Sequence, residues 1–201
     1  MQLGDQFCYN SAVGRVVTFC TVNRAPILYI DNLKQISAYY IREQKSEMVC
    51  NTGGQVLSFI QSRNNIFIYA NQTIDGNNQT NWLIKDSLDS QFSDSITVGA
   101  SPIFSLRKDA SLTNFKDKFV YLSGGIFSGG RIALIEVFQY DIEKDSWTVA
   151  PSLNERRAEH GSCVIENSIY ICGGYKRRID AKGEPIKGIE KLKLSREIGV
   201  V

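Results

Sequence analysis

"FVYLSGG" occupies residues 119–125, and "SIYICGG" repeats the same device at residues 168–174, 49 positions later. Each is a run of β-branched, aliphatic and aromatic residues that stops at two glycines. Such a run reads as a buried strand. The glycines that end it tolerate φ > 0 and close backbone approach. Recurrence at a fixed distance of this size is the mark of a repeat architecture.

The same strand character extends along most of the chain. "GRVVTFCTV" (14–22), "APILYIDN" (25–32), "GQVLSFIQ" (54–61), "NNIFIYAN" (64–71), "DKFVYLSG" (117–124), "IALIEVFQYD" (132–141) and "GSCVIEN" (161–167) are short and rich in Val, Ile, Phe and Tyr. Asn, Gly, Asp and Ser separate them. Asp75-Gly76 and Asn167-Ser168 read as tight turns. "DNLKQISAYYIREQ" (31–44) places Leu33, Ile36, Tyr39 and Tyr40 at helix-like intervals, but reads equally well as two strands joined by a polar turn. Strands without crossover helices imply an antiparallel, all-β architecture.

The repeat is clearest in the second half. After Gly124-Gly125 come a glycine-containing loop, a strand closing on Tyr140-Asp141, Trp147 six residues beyond Asp141, then Arg157, His160 and Gly173-Gly174. Stepping back about 54 residues gives "NIFIYAN" and "NWLIKD", with Phe92 six after Asp86. A further step reaches "VVTFC" and "ILYID", and "IEKLKL" (189–194) reads as the second strand of a fourth unit. Four strands per period of 49–55 residues is the pattern of β-propeller blades.

The set Gly124, Gly125, Tyr140, Asp141, Trp147, Arg157, His160, Gly173 and Gly174 resembles a kelch repeat, specifically over residues 117–174 and in divergent form before them. The resemblance implies a kelch-type β-propeller of four-stranded antiparallel blades, typically about six to a ring. Units near 12–50, 55–100, 102–155 and 160–201 would make one domain forming a partial ring of about four blades, the last incomplete. An open arc exposes its end blades, so three alternatives stay open: a small or open ring, a part of a longer gene product, or association that completes the ring.

On this reading the nine anchors are structural. The Gly-Gly strand is expected to be the innermost of its blade, with the glycines where backbone crowds the axis. Tyr140 and Trp147 would fill the gap between neighbouring blades while keeping their polar tips bonded. By the resemblance, Arg157 lies on the connection between blades, where its guanidinium reaches several carbonyls. Trp147→Ala is expected to cost about 3–5 kcal/mol, as a large core truncation does.

Function would then lie on the loops. Three stand out: "IFSGGR" (126–131), the Asn/Gln-rich "NQTIDGNNQTN" (71–81), and "YKRRIDAKGEPIKG" (175–188). The last carries Lys176, Arg177, Arg178, Lys182 and Lys187 against Asp180 and Glu184, a charge balance suited to an acidic peptide. "GGIFSGGR" lacks the following helix and Lys-Ser/Thr of a phosphate-binding loop.

Composition narrows the rest. A net charge of +2 and no basic tract interleaved with aromatics argue against nucleic acid. No apolar run reaches the roughly 18 residues of a membrane span, and no secretory leader is expected from "MQLGDQFCYN". Asn71 and Asn78 open Asn-x-Thr sequons that matter only in a secreted chain. Cys8, Cys20, Cys50, Cys163 and Cys172 are odd in number, with no CxxC pair, and His160 is the single histidine. That pattern suits reduced thiols in the cytoplasm and offers no zinc site. Some kelch-type propellers are sugar-processing enzymes resembling galactose oxidase, with copper held by histidines and tyrosines, or sialic-acid-handling proteins. A single histidine disfavours the copper site, and Ser162 two residues from His160 does not make a triad. The expectation is a protein-binding scaffold without cofactor or metal.

Overall fold

The computed structural model describes residues 6–9, 17–20, 27–30, 35–40, 42–51, 55–62, 65–74, 78–87, 96–98, 107–127, 130, 132–178, 181–192 and 194. The first half contributes β1 (Gln6–Tyr9), β2 (Val17–Cys20), β3 (Ile27–Ile30), β4 (Gln35–Tyr40) and β5 (Lys45–Asn51), then β6 (Gln55–Ser62), β7 (Asn65–Ile74), β8 (Asn78–Ser87) and β9 (Ile96–Val98). The second contributes β10 (Arg107–Lys108), β11 (Ser111–Phe115), β12 (Phe119–Ser123), β13 (Ile126–Phe127), β14 (Val137–Asp141) and β15 (Ser146–Ala150). There follow β16 (Gly161–Ile165), β17 (Ser168–Cys172), β18 (Tyr175–Arg178), β19 (Ala181–Pro185) and β20 (Ile189–Lys191). Among the described residues there is no helix.

All strand pairings are antiparallel. Two sheets are four-stranded, in the orders β6-β7-β8-β9 and β11-β12-β14-β15. A third runs β20-β17-β16-β1-β2-β3-β4-β5, where β1 meets β16 through the single pair Cys8↔Ser162. β10-β13 and β18-β19 are two-stranded ribbons. This is the all-β architecture of small antiparallel sheets expected of propeller blades, and no closed ring forms among the described residues.

Short turns set the registers. β11 and β12 are joined by Lys116–Lys118, with Lys116 and Asp117 at φ 57° and 53°. Asn114 is bonded to the Asp117 amide and carboxylate and shapes this turn. β16 and β17 need only Glu166 and Asn167, since Ile165 pairs with Ser168. The turn therefore lies one residue earlier than Asn167-Ser168. Asp75-Gly76 lies outside the described residues.

Several expectations change. Of the two readings left open for residues 31–44, the described residues take the strand one, with β4 at Gln35–Tyr40 and the turn at 42–44 leading into β5. Alternation explains the choice, since Ile36 and Ala38 are buried on one face and helical spacing would scatter them. Residues 71–74 and 78–81, expected in a loop, are strand: β7 and β8 pair from Asn65↔Ser87 to Ile74↔Asn78. The strand expected over 132–141 starts at Val137, and Ala133 and Leu134 make isolated bridges to Ile126 and Arg157.

The Gly-Gly strands also move. β12 lies between β11 and β14, and β17 between β16 and β20, so each is the second strand of its sheet and not the innermost. β20 is correspondingly a third strand. The first strands β6, β11 and β16 are the ones that approach one another. They bury small hydroxyls: Ser111 Oγ and Thr113 Oγ1 each lie 2.6 Å from Ser162 Oγ. Short side chains that satisfy each other let the strands converge.

The core lies between sheets. Along β7, Ile66 to Ala70 are all at most 1% exposed. Ile66, Ile68 and Ala70 pack on Leu28, Ile30, Ile36 and Ala38, whereas Phe67 and Tyr69 pack on Val120, Leu122, Phe138 and Tyr140. Phe115, Tyr121 and Val137 then pack on Ile169, Ile171 and Leu192. The β6-β7-β8-β9 and β11-β12-β14-β15 sheets thus each have a back face toward the preceding strands and a forward face toward the next. A near-continuous apolar run is what burial on both faces requires. Truncating Ile68 to Ala would cost about 2–5 kcal/mol.

Candidate functional site

The strands β11 and β16 are each entered through a segment that turns on an arginine. Arg157, 2% exposed, donates from Nη1 to the carbonyl oxygens of Gly173 (2.9 Å) and Gly188 (3.1 Å). Its Nε lies 3.5 Å from Glu190 Oε2, and Nη2 lies 3.7 Å from Glu155. Fifty residues earlier, Arg107 occupies the matching place, 3% exposed. Its Nη1 donates to Gly124 O at 2.8 Å and Glu136 O at 3.3 Å. Where Arg157 meets Glu190, Arg107 lies over the Phe138 ring at 5.0 Å. Phe138 and Glu190 are equivalent, since they pair with Leu122 and Ile171. Sequence reading missed Arg107, because Ala110 stands where the later unit has His160. The spacing of four residues from arginine to the first strand was the available signal.

The double glycines serve these entries. Gly124, Gly125, Gly173 and Gly174 have φ of 57°, 94°, 67° and 87°, the left-handed region that disfavours side chains. A Cβ on Gly125 would lie 2.7 Å from Lys108 O, and one on Gly174 2.6 Å from Ala158 O. The crowding is therefore with the entry segment of the same unit, not with the ring axis. A Cβ on Gly124 would strike the Arg157 carbonyl of the next unit and lie 2.7 Å from His160 Cε1. Gly125 N–H donates to that same Arg157 carbonyl at 2.8 Å.

His160 is 2% exposed and its Nε2 lies 3.0 Å from Ser123 Oγ. Burial, and then the Arg157 charge, push its pKa down to about 3. It is neutral at pH 7 and seals the junction. Ser162 is bonded to Ser111 and Thr113 and does not meet it in a triad.

The aromatic pair stands on neighbouring strands, Tyr140 directly opposite Trp147 with rings 5.1 Å apart. Tyr140 is 2% exposed, reaches Phe67 of the preceding sheet at 5.9 Å, and donates to Asp145 at 2.6 Å. Burial, reinforced by Asp145, holds its hydroxyl well above the usual range. Trp147 is only half-buried. Asp141 accepts the amides of Glu143 and Lys144, both at 3.1 Å, and so closes the β14–β15 turn. Burial works against its ionisation, but those amides and the Lys144 ammonium hold its carboxyl below the usual range.

Within the basic segment 175–188, residues 175–178 and 181–185 pair as a β-ribbon. Tyr175 pairs with Pro185, Lys176 with Glu184 and Arg178 with Ala181. Arg177 lies on β18 and Lys182 on β19, Lys187 is exposed beyond them, and Asp180 is outside the described residues. Lys176 is committed to Glu155 at 2.9 Å and holds that carboxyl below its usual range. Ribbon, Asn154–Glu155 and β20 together line a cleft of about 600 Å³. Arg157, Lys176, Lys187 and Lys191 face it against Glu155 and Glu190, four cations to two carboxylates. In the "IFSGGR" segment, Gly130 N–H donates to Phe127 O at 2.8 Å and Ile126-Phe127 pair with Arg107-Lys108. Cys163 and Cys172 are free thiols, and burial pushes the Cys163 thiol up. No group of three or more metal-ligating side chains occurs among the described residues.

Comparison with known proteins bears on the same region. Residues 156–195, which run from the Arg157 entry through β20, match the Kelch motif. Over 62 residues the chain is 34% identical to Kelch repeat protein M-T8 of Myxoma virus (strain Lausanne). That alignment covers 29% of this chain and 11% of the viral protein, so the chain corresponds to a small part of its relative's length. Residues 156–195 thus carry a kelch motif that contains the Arg157–Gly173 junction, and Arg107 builds a like junction fifty residues earlier, outside the matched stretch.

Proposed function

We propose that the chain is a protein-interaction module, and that its partner contributes an acidic peptide segment to the cleft between the β18-β19 ribbon, Asn154–Glu155 and β20. The carrying observation is that the basic ribbon forms one wall of a cleft whose lining has twice as many cations as carboxylates. Such a rim steers and orients an acidic chain more than it adds raw affinity. The buried junction residues have their own partners, so the reading assigns them architecture and assigns the chain no catalysis or cofactor. A reducing, cytoplasmic setting accords with the free thiols Cys163 and Cys172.

The test is fluorescence anisotropy with a labelled Glu-rich peptide and a Lys-rich control. The acidic probe should bind, weaken as salt rises, and lose at least tenfold in affinity to Lys176→Glu/Lys187→Glu. Equal binding of both peptides, or an indifferent variant, would overturn the reading.

A further inference from the structure

The two arginine junctions share their Nη1 contacts and part at Nη2. Arg107 Nη1 serves Gly124 O and Glu136 O, and Arg157 Nη1 serves Gly173 O and Gly188 O. Gly188 therefore stands where the earlier unit has Glu136, and Ile189 pairs with Cys172 as Val137 pairs with Ser123. In that earlier unit the Glu136 carboxylate comes within 3.8 Å of Arg107 Nη2. Gly188 has no carboxylate to offer, and a Cβ on it would still lie 3.9 Å from Arg157 Nη2. Arg157 lines the cleft with Nη1 taken by carbonyls and Nε turned to Glu190, so Nη2 is the nitrogen left for an acid.

Glu155 fills that place from the rim. Its Oε2 lies 3.7 Å from Arg157 Nη2, and its Oε1 accepts from Lys176 Nζ at 2.9 Å. The two oxygens of one carboxylate are thus divided between two cations, which shows that the pair accommodates such a group. The hold is light, because the Glu155 and Lys176 side chains are 41% and 38% exposed and exposed ion pairs contribute little. Nor does the junction require it. Ser105 and Phe127 stand at the matching positions of the earlier unit, and Arg107 keeps both carbonyls. Glu190 is the opposite case. It is buried, accepts the Asn154 amide and faces Arg157 Nε, and so belongs to the architecture.

Resting on the reading that the cleft takes an acidic segment, we infer that the Arg157 Nη2–Lys176 Nζ pair receives the partner's first carboxylate, and that Glu155 holds this point in the free chain as an internal competitor. An incoming Asp or Glu side chain displaces Glu155 and takes over its two ion pairs. A lone carboxylate gains nothing by that exchange, whereas a segment with several acids also reaches Lys187 and Lys191 across the cleft. Glu155 thereby selects for clustered acids.

Fluorescence anisotropy on the full chain, with the labelled Glu-rich peptide, tests this through three substitutions. Glu155→Gln should bind about fivefold tighter than wild type, since the competing ion pairs are gone. Glu166→Gln removes the same charge from the exposed β16–β17 turn, outside the cleft, and should stay within about twofold. Gly188→Glu restores the carboxylate that Glu136 supplies to Arg107 and should weaken binding about tenfold. Its Cβ meets Arg157 at an ordinary contact distance, and circular dichroism checks that all three variants fold. Peptide that binds wild type but no more tightly to Glu155→Gln overturns the inference and leaves the reading of the cleft standing. Equal gains from Glu155→Gln and Glu166→Gln, or an indifferent Gly188→Glu, overturn it too. No binding to wild type or to Glu155→Gln overturns reading and inference together, whereas binding to Glu155→Gln alone upholds the competitor.

Discussion

Arg107 donates from Nη1 to the carbonyl oxygen of Gly124 at 2.8 Å, bridging the entry of one sheet to the end of its second strand. The same nitrogen reaches Glu136 O, and the guanidinium lies over Phe138. Arg107→Ala removes the donor to the Gly124 carbonyl, while Glu136 O keeps the Gly124 amide, and is expected to cost about 3 kcal/mol. Arg107→Lys should recover only part, because an ammonium cannot fork between carbonyls and stack on a ring together. Urea unfolding midpoints for the two variants check this, and a silent Arg107→Ala would remove the arginine from the architecture.

The double glycines separate two costs. Gly124 and Gly173 share a left-handed φ, but only Gly124 is crowded, by backbone of the next unit. Gly173→Ala should lose about 1–2 kcal/mol from the φ penalty alone. Gly124→Ala should lose more than about 4 kcal/mol, because a backbone carbonyl must shift as well. Equal losses measured by denaturant titration would contradict this account of the junction.

His160 should make stability pH-dependent. Its native pKa is down at about 3 against an ordinary 6.5, so between those values the unfolded chain binds a proton that the folded chain excludes. Its contribution is fully present above pH 6.5 and is lost as pH falls toward 3. From pH 7 to pH 4 wild type should lose about 3 kcal/mol more than His160→Gln, in which this titration is absent. Unfolding free energies at both pH values test the difference, and parallel profiles would refute it.

Tyr140 and Trp147 face each other across β14 and β15, but they are unequally buried. The loss expected from composition for Trp147→Ala, about 3–5 kcal/mol, belongs to a fully buried ring. Trp147 keeps solvent contact, so about 2 kcal/mol is expected there and about 4 kcal/mol for Tyr140→Ala. Thermal melts of both variants should rank them in that order.

Much of this architecture is written in local pattern. The strands of the second half follow from alternation and punctuation, and Gly124, Gly125, Gly173 and Gly174 are readable as positions of positive φ because other residues are strained there. Arg157 was readable from its place in the motif. Arg107 was not, since its unit lacks the histidine, has Phe138 where the later unit has Glu190, and draws its carboxylate from Glu136 instead. Strand-like composition in residues 71–74, 78–81, 175–178 and 181–185 was diluted by polar residues, so paired strands looked like loops.

Sequence by itself determined the element type, the fifty-residue period and the kelch character, because each depends on neighbours a few residues apart. Only tertiary structure decided that the Gly-Gly strand is second in its sheet and that its glycines press on the entry segment rather than on an axis. Pairing order is set between whole strands, as in Leu112↔Leu122 and Val120↔Tyr140, and face by packing between sheets, as of Tyr69 on Val120, so neither follows from near neighbours. The residues on β12 and β17 are alike, and what distinguishes a buried Val137 from an exposed Ile189 is whether another sheet lies against them.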